Sequence, residues 1–115
     1  MDNIQIFDIS SLTNSMVGDP VEYLEFLKVP HLSCGIYQLA AGQTDPQQPH
    51  EEDEIYYVTA GRATFKTESG EENISCGSVL YVAARTEHRF VDVTEDLTIL
   101  VFFSANQGST YTPLL

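Results

Sequence analysis

From Val21 onward, apolar side chains recur close to every second position. VEYLEFLKV sets Val21, Tyr23, Glu25 and Leu27 against Glu22, Leu24, Phe26 and Lys28, the alternation of a strand partly covered on both faces. Pro30 ends that strand. LSCGIYQLA, stopping at Ala41-Gly42, predicts a second strand, EIYYVTA a third, and RATFKT a fourth beyond the turn at Gly61. Glu68-Ser69-Gly70-Glu71 reads as a hairpin turn, NIS starts a fifth strand, and Gly77 separates it from SVLYVA. EHRFVDV and DLTILVFF, divided by the polar Thr94-Glu95-Asp96, complete the set. About eight short strands at spacings of roughly 8 to 12 residues, with no helix-length 3.6-residue pattern, predict an all-β sandwich or barrel. Periodicity alone leaves an up-and-down barrel open.

The flanks read differently. SSLTNS is turn-rich and Gly18-Asp19-Pro20 marks a boundary, so residues 1–20 are expected to form an N-terminal arm, with at most a short strand near Ile4 to Phe7. Residues 21–104 are expected to carry the strands of the sandwich or barrel, and ANQGSTYTPLL, residues 105–115, a tail. The last strand, Leu97 to Ser104, is apolar on both faces: Leu97, Ile99, Val101 and Phe103 oppose Leu100 and Phe102. Such a strand in a small domain needs cover from its own core and from outside. A homodimer is expected, with Tyr57 as a further residue of that outer surface.

Composition narrows the function. At 115 residues and 12.8 kDa there is room for one domain. A formal net charge of -12 argues against nucleic acid and anionic membrane surfaces, which would repel the chain rather than bind it through counterion release. Cys34 and Cys76 are too few for a disulfide framework and are expected to be small buried hydrophobes. MDNIQIFDIS lacks the basic start and apolar run of a signal peptide, and no apolar run approaches the ~20 residues of a membrane helix. A cytoplasmic protein with free thiols is the expectation.

The candidate chemistry lies between Gly42 and Gly61, GQTDPQQPHEEDEIYYVTAG, with one further histidine, His88, in the stretch Gly77 to Asp92. Gln48 and His50 are two residues apart, so on an extended segment both leave one face about 7 Å apart at Cα, close enough to converge on one ion. Glu54 is four residues past His50, about 13 Å along a straight strand, so Glu51 to Asp53 must turn the chain if Glu54 is to lie beside His50. That acidic run otherwise reads as a solvated turn, placing negative potential near the pocket mouth if it lies there. A carboxylate with two imidazoles suits a divalent transition metal. His31, after Pro30 in a turn, reads as an ordinary surface residue. Arg62, Arg85 and Arg89 are expected to pair with carboxylates, and Tyr56, Tyr81 and Phe90 to lie in the core.

These stretches resemble the cupin family. Its first motif is Gly, five residues, His-x-His, three or four residues, Glu, six residues, Gly; here Gly42, Gln48-Pro49-His50, Glu54 and Gly61 keep every spacing, with Gln48 in place of the first histidine. The second motif is Gly, five residues, Pro-x-Gly, two residues, His, three residues, Asn; here it appears as Gly77, Ala83 and Arg85 for Pro and Gly, His88, and Asp92 for Asn. The resemblance covers roughly residues 20 to 104. It implies an eight-stranded cupin jelly-roll (double-stranded β-helix, RmlC-like) barrel, with Gln48, His50, Glu54 and His88 at the positions of the metal ligands.

Strand parity then sends Tyr56 and Val58 inward with Glu54, and Phe90 and Asp92 inward with His88. Tyr56 is also a candidate pocket hydroxyl, the one residue offered for a catalytic role. Ligand chemistry allows Fe, Mn, Ni, Zn or Cu, and the neutral amide of Gln48 could ligate, hold a metal-bound water or contact an organic ligand. Three readings of function stay open. The chain binds metal, with or without turnover of a small organic molecule in cupin fashion (dioxygenation at non-haem Fe(II), isomerisation or a lyase reaction); it is a metal-free module that binds or senses a small ligand; or it is an interaction protein.

Overall fold

The structure is a computed structural model that describes residues 3–104. The tail expected over residues 105–115 lies outside the described residues. The elements run α1 (Ile9–Ser15), β1 (Val21–Val29), β2 (Leu32–Leu39), β3 (Glu54–Thr67), β4 (Gly70–Ser75), β5 (Val79–Val82) and β6 (His88–Ser104). The strands form one antiparallel sheet in the order β1-β2-β6-β3-β4, with β5 paired to β3.

Among the described residues six strands replace the eight expected, because β3 and β6 each join two predicted strands. Gly61 bends the chain at φ +97° without ending β3, and Asp92 does the same at φ +48° in β6. Between these bends the β3–β6 register slips at Val58/Ala60, Ala60/Arg62 and Arg62/Thr64. A bulge of this kind re-aims a strand and strengthens its twist while the ladder continues on either side. Both long strands therefore turn together, and their inner faces enclose one core.

That core takes the inward residues of each half. Tyr56, Val58, Phe90, Leu97, Ile99, Val101 and Phe103 are all buried, in one cluster with Tyr37 and Leu39 of β2. The Phe65 and Phe90 rings meet at 5.1 Å and Tyr56 and Phe90 at 5.2 Å, distances at which tilted aromatic pairs attract beyond their area burial. Parity holds for Tyr56, Val58 and Phe90 but fails at Asp92, which is exposed. Its left-handed backbone shifts the inward position by one, to the buried Val93. Tyr81, expected in the core, is exposed on β5 opposite Ile55. Cys34 is buried as expected whereas Cys76 is exposed, and both are free thiols.

The arm differs from expectation as well. No strand forms at Ile4 to Phe7, and α1 follows, too short at seven residues to show a helical repeat in the sequence. Asp8 starts it as an N-cap: its carboxylate accepts from the Ser11 amide at 3.0 Å and the Ser11 hydroxyl at 2.8 Å. The arm is fastened by the Phe7 and Phe26 rings, 4.8 Å apart, and by Glu22, whose carboxylate accepts from the amides of Val17, Gly18 and Asp19. No helix among the described residues is long and apolar enough to cross a membrane.

Candidate metal centre

The segment between β2 and β3, residues 40–53, has no regular structure of its own yet is tied down along its length. A connection this long in a small domain is uncommon unless it carries function. Ala41 N–H donates to Asp96 Oδ1, Gly42 N–H to the Val93 carbonyl, and Phe90 N–H to Asp45 Oδ2, so the segment runs beside the first half of β6. Its far end is clamped to the loop before β6. Arg85 N–H donates to the His50 carbonyl at 2.6 Å, Ala84 N–H to Asp53 Oδ1 at 2.8 Å, and Ser104 N–H to the Asp53 carbonyl at 2.9 Å. Arg85 stands where the second motif has glycine and keeps a left-handed backbone, φ +62°. The conformation survives although the residue that makes it easy does not.

This clamp makes the turn that the sequence required. The chain bends at Glu51 and Glu52, and His50, Glu54 and His88 come together: one ligand atom from each lies within 4.8 Å of the others, and all three residues are buried. The Glu54 and His88 side chains are each only 1% exposed. His50 packs edge-on against Phe103 with centroids 5.1 Å apart and lies 5.9 Å from the His88 ring.

Gln48, by contrast, is exposed; with Pro49, Lys66 and Arg89 it lines a surface recess of about 340 Å³ that also touches His88. The inward residue is its neighbour Gln47, buried with Asp45. Spacing from His50 pointed to Gln48 on the assumption of a straight strand, and the irregular chain around Pro49 breaks that parity. Asp45 and Gln47 fall in the five-residue spacer of the first motif, where it specifies no residue type, and no spacing signal in the sequence marks them.

The polarity of the hydrogen bonds at the three ligands is informative. His88 Nδ1 lies 2.7 Å from the Thr86 carbonyl, which can only accept, so Nδ1 carries a proton. In the neutral ring Nε2 is then a bare lone pair. It faces Glu54 Oε1 at 2.9 Å and the Tyr56 hydroxyl at 2.9 Å. His50 Nε2 is buried without a hydrogen-bond partner, and the buried Glu54 carboxylate has only the His88 imidazole and the Tyr56 hydroxyl beside it. Acceptors converging at this distance need a cation between them, either a second proton on His88 or a metal. Donors about 2.1 Å from one ion lie roughly 3 to 3.5 Å apart, close to the 2.9 Å between His88 Nε2 and Glu54 Oε1, while the set of three lies within 4.8 Å. A backbone carbonyl fixing the tautomer of a histidine is also the usual outer support of an imidazole ligand. The three residues therefore fit a divalent metal.

Electrostatics agrees with that competition. Burial works against charge on His88, but its hydrogen bonds to Glu54 and Thr86 and the charges of Glu54 and Asp45 outweigh it and hold the imidazole above its ordinary range. Burial holds His50 below its ordinary range, with His88 pulling the same way against Glu54 and Asp45. Burial, then the charges of Glu54 and Asp45, pushes the Tyr56 hydroxyl well up, so it stays protonated.

The acidic turn is solvated only at Glu51 and Asp53. Glu52 is buried and neither of its oxygens has a partner; burial first, with the charges of Glu51 and Glu54 in the same direction, raises its carboxyl above the ordinary range. Arg62 pairs with Glu95 at 3.1 Å and Arg85 with Glu51 at 3.5 Å, both in solvent, while Arg89 makes no ion pair among the described residues.

Residues 35–103 match the profile of the cupin domain. An uncharacterized protein of Streptomyces coelicolor is 39% identical over 101 residues, covering 88% of this chain and 96% of that protein. Among solved structures, the DMSP lyase DddQ of Ruegeria pomeroyi superposes with a TM-score of 0.74 at 19% identity, over 84% of this chain and 52% of the lyase, so the chain spans about half of that enzyme. An RmlC-like cupin with a double-stranded β-helix fold from Methanocaldococcus jannaschii superposes with a TM-score of 0.72 at 13% identity, over 94% of both chains. The all-β architecture, the two motifs on one pocket and the profile match lead to one conclusion: the chain belongs to the cupin family.

Proposed function

We propose that this protein is a metal-binding cupin in which His50, Glu54 and His88 hold a divalent transition metal and leave coordination positions open to a small organic molecule. The observation that carries this reading is the convergence of three buried acceptor groups, His50 Nε2, Glu54 and His88 Nε2, with no donor among them but a proton that a metal would replace. Two imidazoles and one carboxylate suit Fe, Mn, Ni, Zn or Cu, and the ion would polarise an oxygen of the bound molecule or activate O2. The chain's own residues supply the setting: Thr86 fixes the His88 tautomer and Phe103 shields His50. A lyase among the structural neighbours supports turnover of a small molecule as part of this reading, beside dioxygenation or isomerisation. Two free cysteines agree with a cytoplasmic location.

Metal content per subunit, read by mass spectrometry on untagged protein, tests the proposal. Near-stoichiometric metal in the wild type and its loss in the His50→Ala, His88→Ala double variant is the expected result. A wild type that takes up none of the five ions on addition sinks it, and leaves an organic-ligand module.

A homodimer is the second part of the reading. On the outer face, Ile55 and Tyr57 are 42% and 41% exposed, and their β5 partners Tyr81 and Val79 are 67% and 66% exposed. Half-buried Phe102 and Leu100 continue the same two rows across β6. This uncharged patch is where two copies of a chain with net charge -12 could meet without repulsion. Sedimentation is expected to give a dimer, and Tyr81→Glu a monomer with the metal still bound; a wild-type monomer at high concentration would remove this part.

A further inference from the structure

We propose that Asp45 and Gln47 are positioning residues that turn the Tyr56 hydroxyl proton away from the candidate metal centre and so keep the coordinating lone pair of His88 free. The inference rests on the metal-binding reading above and concerns residues at unspecified spacer positions of the first motif. Its basis is a buried chain of hydrogen bonds whose direction is fixed link by link.

Asp45 accepts four hydrogen bonds: from the Tyr37 hydroxyl at 2.7 Å and Gln47 N–H at 3.2 Å on Oδ1, and from Gln47 Nε2 at 2.7 Å and Phe90 N–H at 2.9 Å on Oδ2. A carboxylate loaded with four donors can only accept, so the Gln47 amide must present its NH2 to Asp45 and its oxygen to the other side. That oxygen lies 2.7 Å from the Tyr56 hydroxyl, and because an amide oxygen accepts, Tyr56 must donate to it. Tyr56 has one proton. With it committed to Gln47, the lone pairs of the hydroxyl face His88 Nε2, 2.9 Å away.

Without this relay the preference reverses. If Gln47 could not accept, the acceptors left to Tyr56 would be two of the three candidate ligands, His88 Nε2 at 2.9 Å and the Glu54 carboxylate. The phenol proton would then occupy a lone pair that a metal needs. The ring of Tyr56 belongs to the core, whereas the direction of its hydroxyl is set by Gln47, which Asp45 orients.

The test is a double-mutant cycle of Gln47→Met and Tyr56→Phe, read in two ways. Asp45 keeps three of its four donors in Gln47→Met, so the loop retains its ties. Zinc affinity, measured by chelator competition, is expected to fall about 10-fold in Gln47→Met, the scale of outer-shell changes at metal sites. The double variant should bind zinc within about threefold of Tyr56→Phe alone, since no proton remains to misdirect. In the metal-free protein, at a pH where the spectra show a neutral ring, the 15N resonance of His88 Nε2 should shift in Gln47→Met and not respond to that change when Tyr56 is already Phe. Asp45→Asn, which frees the Gln47 amide to turn, should shift it in the same direction. An unchanged resonance in Gln47→Met, or a zinc deficit that persists at full size in the Tyr56→Phe background, overturns the proposal. Failure of the wild type to bind metal would overturn the functional reading instead, since the metal-free spectra decide the orientation by themselves.

Discussion

Gly61→Ala is expected to destabilise the protein by about 2–5 kcal/mol and to lower its melting temperature by more than about 10 °C. Gly61 sits at φ +97°, where any Cβ is strained, and a Cβ there would stand 2.3 Å from the Asp96 carbonyl oxygen and 2.7 Å from Leu97 Cα. These are backbone atoms of β6, which cannot swing away as a side chain could. The left-handed conformation costs about 1–2 kcal/mol, and forcing the two strands apart adds overpacking of about 1–3 kcal/mol. Gly42→Ala is the control. It has φ +83° but nothing within 4 Å of an added Cβ, so only the conformational part, about 1–2 kcal/mol, applies. Urea unfolding of both variants checks the comparison. Equal losses at the two positions would mean that close approach of β3 to β6 does not constrain the bend.

The same bend marks the limit of what the sequence discloses. β1 was legible to the residue, because VEYLEFLKV alternates and is closed by Pro30. The eight-strand reading divided β3 at Gly61 and β6 at Thr94-Glu95-Asp96, since glycine and polar clusters end strands more often than they bend them. The ladder nevertheless resumes across each slip, with Ala60 opposite Thr98, Arg62 opposite Glu95 and Thr64 opposite Val91, and that is a tertiary fact. The site follows the same rule. His50, Glu54 and His88 were legible through motif spacing, but the inward choice between Gln47 and Gln48 depends on backbone angles around Pro49. Asp45 carries no local signal, because its role rests on the amide of Phe90, 45 positions further along the chain. Tyr81 reads as core in the sequence, yet it is exposed on β5, a strand that pairs only with β3.

Glu54→Gln is expected to weaken metal binding by more than about 100-fold, beyond the 10–100-fold of an outer-shell change, and also to reverse how His88 responds to pH. The amide keeps the shape of the carboxylate but removes its charge, and a neutral oxygen is a poor substitute in a set with two neutral imidazoles. In the metal-free wild type, His88 is held above its ordinary range with Glu54 as its main support. Its contribution to stability is therefore fully present below the unfolded value of about 6.5 and is lost as pH rises through the higher folded value. Metal competes for the same lone pair, so loaded protein should gain stability over metal-free protein as pH rises through that window. With Gln at position 54 the burial of His88 is no longer outweighed, and the imidazole should fall towards or below its ordinary range. His50, depressed by burial, acts in the opposite sense and costs stability as pH falls below about 6.5, so the informative quantity is the difference between wild type and variant at each pH. NMR titration of His88 and urea unfolding across this window give that difference. A His88 that titrates unchanged in Glu54→Gln would show that the 2.9 Å contact carries no charge coupling, and the case for a shared cation between these two residues would fall with it.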